Sequence, residues 1–323
     1  MSGPIAVDAM GGDHAPEQII SGARRAADEL GVDVVLVGRG AEISDTLGLD
    51  LVEASEVISM SEDGAKGVRT KKDSSLVRGS ELVRDGGASA FVSAGNTGAT
   101  VAAALLRMGR IKGVSRPGVA TAIPVPGASP TVLLDSGAMA DCQPAWLVQY
   151  AQMGSAFAKI RFGLDAPRVG LLSIGEESSK GNQLTKDTHA LLKELGGINF
   201  IGNVEGRDVM SDDVDVVVTD GFTGNVVLKT LEGGLRTMVN AVFGALSGPD
   251  VGDAAGEAIG LLAPLAVELD PDTYGGALLL GVNGVSIIGH GSSSATAIVN
   301  AVGVARDMVD ADVVGSLAAA VRA

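Results

Sequence analysis

The fold class is decided by the stretch that reads IAVDAMGGDHAP, Ile5–Pro16. Three apolar residues of strand character run into a polar, glycine-bearing loop, and a helical pattern follows directly. This order is the repeating unit of open α/β sheets, in which ligands bind at the carboxyl ends of the strands. Gly11 and Gly12 permit positive φ and a close approach of the backbone to a ligand. The stretch fits a binding loop and equally a simple turn in which Asp13 caps the helix.

The rest of the chain repeats this alternation of strand-length apolar runs and helix-length periodic segments. Their spacing fits βαβ units and predicts a mainly parallel sheet with helices on both faces, a three-layer αβα fold. No internal repeat or long linker appears, so we expect one α/β catalytic domain over residues 1–323. The predicted strands are Val34–Val37, Ala90–Val92, Val132–Leu134, Val169–Ser173, Val214–Thr219 and Val285–Ile288, and the predicted helices are Glu17–Leu30, Ser74–Arg84, Thr97–Met108, Ala145–Phe162 and Lys186–Leu195.

Composition excludes several classes of protein. With 323 residues, of which 46% are hydrophobic, the chain is long enough for a substantial core. A net charge of −15 argues against nonspecific nucleic-acid binding. One cysteine, Cys142, excludes an intrachain disulfide, and no secretory signal pattern begins the sequence, so a cytoplasmic protein is expected. The uncharged stretch Thr273–Ala305 is broken by polar residues and glycines and is not predicted to span a membrane.

Positive charge is concentrated in one short segment. No acidic residue occurs between Asp85 and Asp135. This local basic patch on an acidic protein suits the docking of an acidic partner, although a solvated helix end would also explain it. The four cations are Arg107, Arg110, Lys112 and Arg116.

A helical pattern from Leu235 to Leu269 interrupts the βα alternation. It is broken at Gly248-Pro249 and at Pro264, which predicts a hairpin of two helices that leaves the main body at about 235–270. Such a hairpin could pack on a second subunit, contact a membrane or enclose an acyl chain. No Lys or Arg occurs between Arg236 and Arg306, so electrostatic attraction to a membrane is the least favoured of these.

Four further clusters of glycine with hydroxyl or amide residues follow predicted strands. Because loops that follow parallel strands meet at one edge of the sheet, we expect them to join the N-terminal loop there. Free backbone N–H groups, neutral side-chain donors and one lysine, Lys180, form the kind of cradle that binds phosphate. The clusters are Ser93–Gly98, Ile174–Asn182, Thr219–Asn225 and Gly289–Ser294.

Other catalytic signatures are missing from the sequence. There is no Walker motif, no Gly-x-Gly-x-x-Gly after the first strand and no Gly-x-Ser-x-Gly elbow. A metal site from Asp8, Asp13 and His14 has suitable ligand types but no metal signature, so we predict neither metal nor cofactor. His14 and His290 are candidate loop donors or structural histidines, and His189 has no predicted role.

Several of these motifs together resemble one family. The chain is similar to the bacterial phosphate acyltransferases of phospholipid synthesis, the PlsX family, at Ile5–Pro16, Ser93–Gly98, Gly109–Gly113, Asn199–Glu205, Thr219–Asn225 and His290–Ser293. The resemblance implies transfer of a fatty acyl group from acyl carrier protein to inorganic phosphate, giving acyl phosphate. It implies a homodimer with a fold similar to phosphotransacetylases and to isocitrate and isopropylmalate dehydrogenases. It leaves open peripheral contact with the inner face of the cell membrane and hand-over of product to a membrane glycerol-3-phosphate acyltransferase.

Residue chemistry and the resemblance together nominate a site. The expected catalytic residues, which serve as oxyanion donors or as general acid, are Lys180, Asn225 and His290. The basic segment becomes the expected docking surface for the carrier protein. The residues expected to bind phosphate and substrate are Asp8, Gly11, Gly12, Asp13, His14, Asn96, Thr97, Gly98, Asn182, Asp220, Gly221, Gly291, Ser292 and Ser293.

The chain departs from the family pattern in three places. Met139 ends the motif Asp135–Met139 where the family has Asn, which removes an amide donor. Gln183 follows Gly181-Asn182 where an acid is usual, and the hairpin lacks the cations of many members. Two other functions stay open at this point: acyl transfer from coenzyme A, and a noncatalytic scaffold for lipid-synthesis enzymes.

Overall fold

The computed structural model describes residues 3–247 and 254–322, and its centre is one mixed β-sheet. Eleven strands of these residues pair in the order β3-β2-β1-β4-β11-β10-β5-β6-β9-β7-β8. Their bounds are β1 Ile5–Asp8, β2 Val34–Gly38, β3 Asp50–Glu53, β4 Ala90–Ser93, β5 Gly118–Ile123, β6 Thr131–Leu134, β7 Arg168–Leu172, β8 Asn199–Val204, β9 Val216–Val218, β10 Ala277–Leu280 and β11 Val285–Ile288.

Helices connect most of these strands. Several begin at a side-chain cap placed directly after a strand, which supplies an acceptor for otherwise unpaired N–H groups. Their bounds are α1 Glu17–Leu30, α2 Gly64–Thr70, α3 Ser75–Arg84, α4 Thr97–Arg107, α5 Pro144–Phe162, α6 Gln183–Glu194, α7 Gly221–Leu246, α8 Ala254–Glu268, α9 Ala295–Asp310 and α10 Val313–Arg322.

Alternate residues of the strands enter different cores, because successive side chains point to opposite faces of a sheet. Ile5 and Val7 of β1 pack in a core with residues of α1 and α9. Ala6 between them packs in a second core with residues of α3 and α4. Phe91 of β4 joins that second core, whereas its neighbours on the strand face the first. Helices therefore cover both faces, which confirms the three-layer prediction.

The direction of the strands reverses at the centre of the sheet. The pairs from β3 through β1 and β4 to β11 are parallel, as are those from β6 through β9 and β7 to β8. Between these halves, β10 is antiparallel to both β11 and β5, and β5 is antiparallel to β6. The sheet is mainly parallel, as predicted, but its two halves run in opposite directions. The prediction that all the loops meet at one edge is therefore wrong.

The hairpin begins earlier than its sequence pattern suggested. Helix α7 starts at Gly221 and runs without a break to Leu246, so its first turns belong to the body of the protein. Pro264 lies inside α8 and does not end it, while the predicted break at Gly248-Pro249 lies outside the described residues. Most side chains of the two helices are exposed or half-buried, including Met238 and Leu261. In the described ranges no helix combines the length and apolarity needed to cross a bilayer.

The start of α7 fits closely against the loop after β6. A Cβ at Gly224 would collide with the carbonyl oxygen of Asp135, whereas Gly233 in the same helix has no atom within 4 Å of an added Cβ. Glycine at 224 is therefore required for packing.

We expect Gly224→Ala to lower the free energy of unfolding by about 1–3 kcal/mol, because the added methyl group overpacks this contact. Gly233→Ala is the matched control and should be neutral or stabilising by up to about 1 kcal/mol, since alanine is the better helix former. Urea unfolding of both variants measures the difference. Equal stability of the two would contradict the packing described here.

Candidate active site

A cleft of about 710 Å³ opens over the strand at which the two halves of the sheet meet. Val119, Thr121 and Ile123, alternate residues of β5, line it from below. The half that contains β1, β4 and β11 contributes Asp13, Met60, Thr97, Gly289, His290, Gly291 and Ser293, and the other half contributes Ser136, Gly137, Ala138, Gly221, Asn225, Leu228 and Lys229. The cleft has the size of an ordinary small-molecule site.

The loop after β1 is shaped by a buried carboxylate. Asp8 is 1% exposed and accepts hydrogen bonds from Ser93 Oγ at 2.7 Å and from the Met10 N–H at 3.1 Å. Burial raises the pKa of Asp8, against the effect of its hydrogen bonds. A Cβ at Gly11 would lie 2.6 Å from Asp8 Oδ2 and 2.6 Å from Gly95 N. Asp8 and Gly11 hold the loops after β1 and β4 together and do not line the cleft.

The same loop is tied to the loop after β11. The Asp13 N–H donates to the Gly291 carbonyl oxygen at 2.7 Å, and Gly12, with φ of +111°, lies against that oxygen. Asp13 lines the cleft. His14 is exposed and outside the lining, so the predicted binding residues of this loop divide into one that faces the cleft and others that shape it.

The Asn96 side chain holds two neighbouring segments together, whereas Thr97 lines the cleft. The Asn96 side chain caps α4 by accepting from the Ala99 N–H at 2.9 Å. Its amide donates to the carbonyl oxygens of Ser59, Met60 and Glu62 at 3.2, 3.1 and 2.9 Å. Because both ends of the amide are engaged, Asn96 positions the 59–62 loop beside the cleft. Gly98, in the first turn of α4, does not line the cleft.

A second buried carboxylate shapes the opposite wall. Asp135 follows β6 and accepts the N–H groups of Val119, Gly137, Ala138 and Met139 at 2.7–3.0 Å. Its pKa is raised because burial outweighs these four hydrogen bonds. Position 139 contributes its backbone N–H to this contact, so the contact does not depend on the Met139 side chain.

Helix α7 carries several polar residues of this wall. Asp220 caps the helix by accepting from the Thr223 N–H at 2.8 Å, and Gly221 packs on Asp135 at the cleft. Asn225 and Lys229 follow one and two turns later and both line the cleft. Residues four apart lie on one face of a helix, so this face points to the ligand space.

His290 belongs to a four-residue cluster at the polar end of the cleft. Its Nε2 lies 3.0 Å from Lys229 Nζ, which lies 2.8 Å from Glu232 Oε2. Its Nδ1 lies 2.8 Å from Ser292 Oγ. Burial opposes ionisation of Glu232, but hydrogen bonds from His290 and Lys229 and their charges outweigh it, so the pKa of Glu232 is lowered.

The remaining loop residues after β11 have different positions. Ser293 Oγ donates to the His290 carbonyl oxygen at 2.6 Å, and Ser293 is nearly buried where it borders the cleft. Ser292 lines a smaller cavity of about 240 Å³ between α7 and α8, which shares His290 and Glu232 with the cleft.

Lys180 and Asn182 do not lie with the other predicted site residues. They belong to the loop after β7, and β7 lies beyond β6 and β9 in the sheet order, farther from β5 and from the cleft over it. Lys180 is exposed, Asn182 caps α6 through the Thr185 N–H at 2.9 Å, and neither lines the cleft. The catalytic assignment of Lys180 remains a prediction that this chain's cleft does not support.

Lys229 and Glu232 were not predicted. Both lie in a helical stretch, where charged residues usually form a solvated face. The available signal was their spacing from Asn225, four and seven residues later, on a helix that begins directly at a glycine loop.

The basic segment forms a braced surface next to the start of β5. Arg110 donates to the carbonyl oxygens of Val114 and Ser115, and Arg116 stacks on Trp146 at 4.7 Å. Arg107 lies 3.7 Å from Glu81 at the far end of α4, about 15 Å along that helix from Thr97. Lys112 is exposed and has no partner among the described residues.

Two alternative chemistries lack support in the described residues. Burial raises the pKa of the Cys142 thiol to about 11, so it is not a thiolate at neutral pH. Within residues 3–247 and 254–322, no group of three or more His, Cys, Asp or Glu side chains could hold a metal ion.

We expect Glu232→Gln to lower the free energy of unfolding by about 1 kcal/mol at pH 7, because it removes a partly exposed ion pair. A lowered folded pKa means that this stabilisation is present above the ordinary value of 4.5 and is lost as pH falls through the folded pKa. Denaturant unfolding at pH 7, 5 and 3 should show that the difference in free energy of unfolding between wild type and Glu232→Gln shrinks as the pH falls. Glu257→Gln, at an exposed position of α8, serves as the control. A difference between wild type and Glu232→Gln that grew at acidic pH would contradict the prediction.

Comparison with known proteins relates the whole chain to one family. The profile described as "Fatty acid synthesis protein" matches residues 4–316. The phosphate acyltransferase of Pelotomaculum thermopropionicum is 49% identical over 319 residues, 95% of this chain and 91% of that protein. The phosphate acyltransferase of Elusimicrobium minutum is 48% identical over 324 residues, 97% of this chain and 94% of that protein.

Solved structures agree on the fold. The EutD phosphotransacetylase from Staphylococcus aureus aligns with a TM-score of 0.60 at 17% identity, over 95% of this chain and 94% of that chain. A 4-hydroxythreonine-4-phosphate dehydrogenase from Klebsiella pneumoniae aligns with a TM-score of 0.55 at 12% identity, over 95% of this chain and 100% of that chain. The likeness to phosphotransacetylases and dehydrogenases was predicted. The profile match and the close relatives show that the chain belongs to the phosphate acyltransferase family.

Proposed function

We propose that this protein transfers a fatty acyl group from an acyl carrier protein thioester to inorganic phosphate and releases acyl phosphate. One observation carries the proposal: the cleft combines an end rich in hydrogen-bond donors with an apolar wall. Membership of the phosphate acyltransferase family supports acyl transfer, and the choice of donor and product rests on the features below.

The polar end offers donors without protein acceptors. Among the described contacts, the Asn225 amide, the Thr97 hydroxyl and the Gly291 N–H make no hydrogen bond to protein, and all three residues line the cleft. Preorganised donors of this kind are suited to an anion or to the oxyanion of a tetrahedral intermediate. They would hold phosphate beside the thioester carbonyl and so replace a bimolecular encounter with an oriented one.

The apolar end suits a hydrocarbon chain. Leu228 and Leu231 of α7 line it together with Ile123 and Pro124 at the end of β5, and both leucines pack against the core cluster that contains Ile123. Each methylene group of an acyl chain that leaves water gains about 0.8 kcal/mol. A long acyl chain would therefore bind more tightly here than an acetyl group. Further apolar residues of the lining are Phe222, Leu235, Leu269 and Tyr274.

The reaction needs no cofactor to balance. An oxygen of HPO₄²⁻ attacks the thioester carbonyl carbon, the C–O bond forms, and the C–S bond then breaks. The phosphate proton ends on the leaving sulfur, so acyl phosphate and a free thiol result. His290 lies at the polar end of the cleft and is the group we assign to this proton transfer.

We expect the wild-type protein to form acyl phosphate, trapped as hydroxamate with hydroxylamine, from acyl carrier protein thioester and phosphate. His290→Ala should reduce kcat by about 10²-fold, the low end for loss of an acid–base group. His189→Gln is the control, because His189 lies outside the cleft beside Asn203.

Absence of acyl phosphate with the wild-type protein would disprove the proposed function. Faster turnover of acetyl-coenzyme A than of long-chain acyl carrier protein would favour the coenzyme A-dependent alternative. Strong vesicle binding without product would favour the scaffold.

The basic segment supports a protein donor. Its loop is held by hydrogen bonds from Ile111 N to Gly281 O at 3.0 Å and from Gln149 to Gly113 O at 2.8 Å. A rigid, positively charged surface suits an acidic carrier protein, whereas a small nucleotide thioester needs no such surface.

Lys112→Glu is expected to lower kcat/KM for the carrier-bound donor about fivefold at low ionic strength, and less at high salt, because a rim charge acts mainly on association. The same variant should leave kcat/KM for an acyl-coenzyme A within twofold of wild type. Steady-state rates at two salt concentrations measure both. An equal loss with the two donors would argue against a docking role.

A further inference from the structure

Lys229 is the sole lysine or arginine among the described residues that line the cleft. Lys180, the lysine nominated by its motif, lies outside it. A doubly charged nucleophile therefore meets one fixed ammonium group in this space. The surroundings of that group indicate what it does.

The donors of Lys229 can be counted. An ammonium group has three N–H donors and no acceptor. One N–H donates to Glu232 Oε2 at 2.8 Å, and a second to His290 Nε2 at 3.0 Å. No other described residue accepts from Nζ, and the side chain is 48% exposed where it borders the cleft. The third N–H is therefore left for a ligand.

Glu232 holds the ammonium group from behind. It lies three residues further along α7, and its side chain is only 13% exposed. A carboxylate so placed neutralises the lysine when the cleft is empty and limits the positions of Nζ. Lysine alone would be a flexible point charge, and the two contacts make it a positioned one.

The same contacts surround the His290 ring. Its Nε2 lies 3.0 Å from Lys229 Nζ, and its Nδ1 lies 2.8 Å from Ser292 Oγ and accepts from the Ser292 N–H at 3.3 Å. Nε2 of the imidazole thus lies next to the cation. An anion bound to Lys229 would be adjacent to the group that we assign to proton transfer.

We propose that Lys229 binds the phosphate nucleophile through its unused N–H, with Glu232 and His290 holding its ammonium group in place. This inference rests on the proposed function and names the residue that recognises its anionic substrate. Lys229 is a catalytic residue in the sense that it touches the substrate, and Glu232 is a positioning residue.

The first test separates the two substrates. We expect Lys229→Met to lower kcat/KM for phosphate at least tenfold while KM for the acyl donor stays within threefold of wild type. Lys229→Arg should recover part of the loss, because it restores the charge. Lys193→Met, at an exposed lysine of α6, is the matched control. A kcat/KM for phosphate within threefold of wild type in Lys229→Met, or an equal loss for both substrates, overturns the proposal.

A second test uses the unmodified protein and does not depend on the folding of any variant. Lysines are acetylated with an N-hydroxysuccinimide ester with and without inorganic phosphate, and labelled peptides are quantified by mass spectrometry. Phosphate should protect Lys229 at least threefold and leave Lys193 unchanged. Equal labelling of Lys229 in both conditions overturns the inference. If wild-type protein makes no acyl phosphate but Lys229 is protected, the proposed function fails while the anion site stands.

Discussion

The reversal of strand direction at β5 is the constraint on which the site depends. A fully parallel sheet would carry all its binding loops along one edge. Here β5 is antiparallel to both of its neighbours, and the cleft lies over it between two parallel halves. Each half contributes loops and helix starts from its own strands. The donors on the two sides of the cleft thus belong to different halves of the sheet. Because the two halves form one continuous sheet, the distance between these donors is fixed.

Each half places a buried carboxylate at the end of a strand. Asp8 ends β1, Asp135 follows β6, and both accept backbone N–H groups of the loop that comes next. Both pKa values are raised by burial. In neither case is the carboxylate a cleft residue. The position of these two carboxylates, after a strand, is typical of catalytic acids, but here they accept backbone N–H groups and so hold the loops in shape. The residues that line the cleft come later in each loop or on the following helix.

Apolar runs predicted most strands of the two parallel halves, β9 and β11 among them, because short apolar runs bounded by turn residues are typical of buried parallel strands. They missed β3, β5, β8 and β10, where polar residues or neighbouring glycines interrupt the apolar pattern, and periodicity carries no information about strand direction. Residues of the loops after β1, β4, β9 and β11, which the sequence nominated, line the cleft. Lys229 and Glu232 were missed because a charged helical face is ordinary in solvent, and only the tertiary structure shows that α7 faces the cleft.

Helix α7 is continuous from the cleft to its outer end. Asn225, Lys229 and Glu232 are therefore carried on the inner part of the same rod whose outer part, up to Leu246, is largely exposed. The distance from Lys229 to Leu246 along the helix is about 26 Å. Gly224 packs the first turn of the helix against the Asp135 carbonyl oxygen. Because the helix is continuous, a contact with its exposed outer part would act on the same element that carries the charged residues of the cleft.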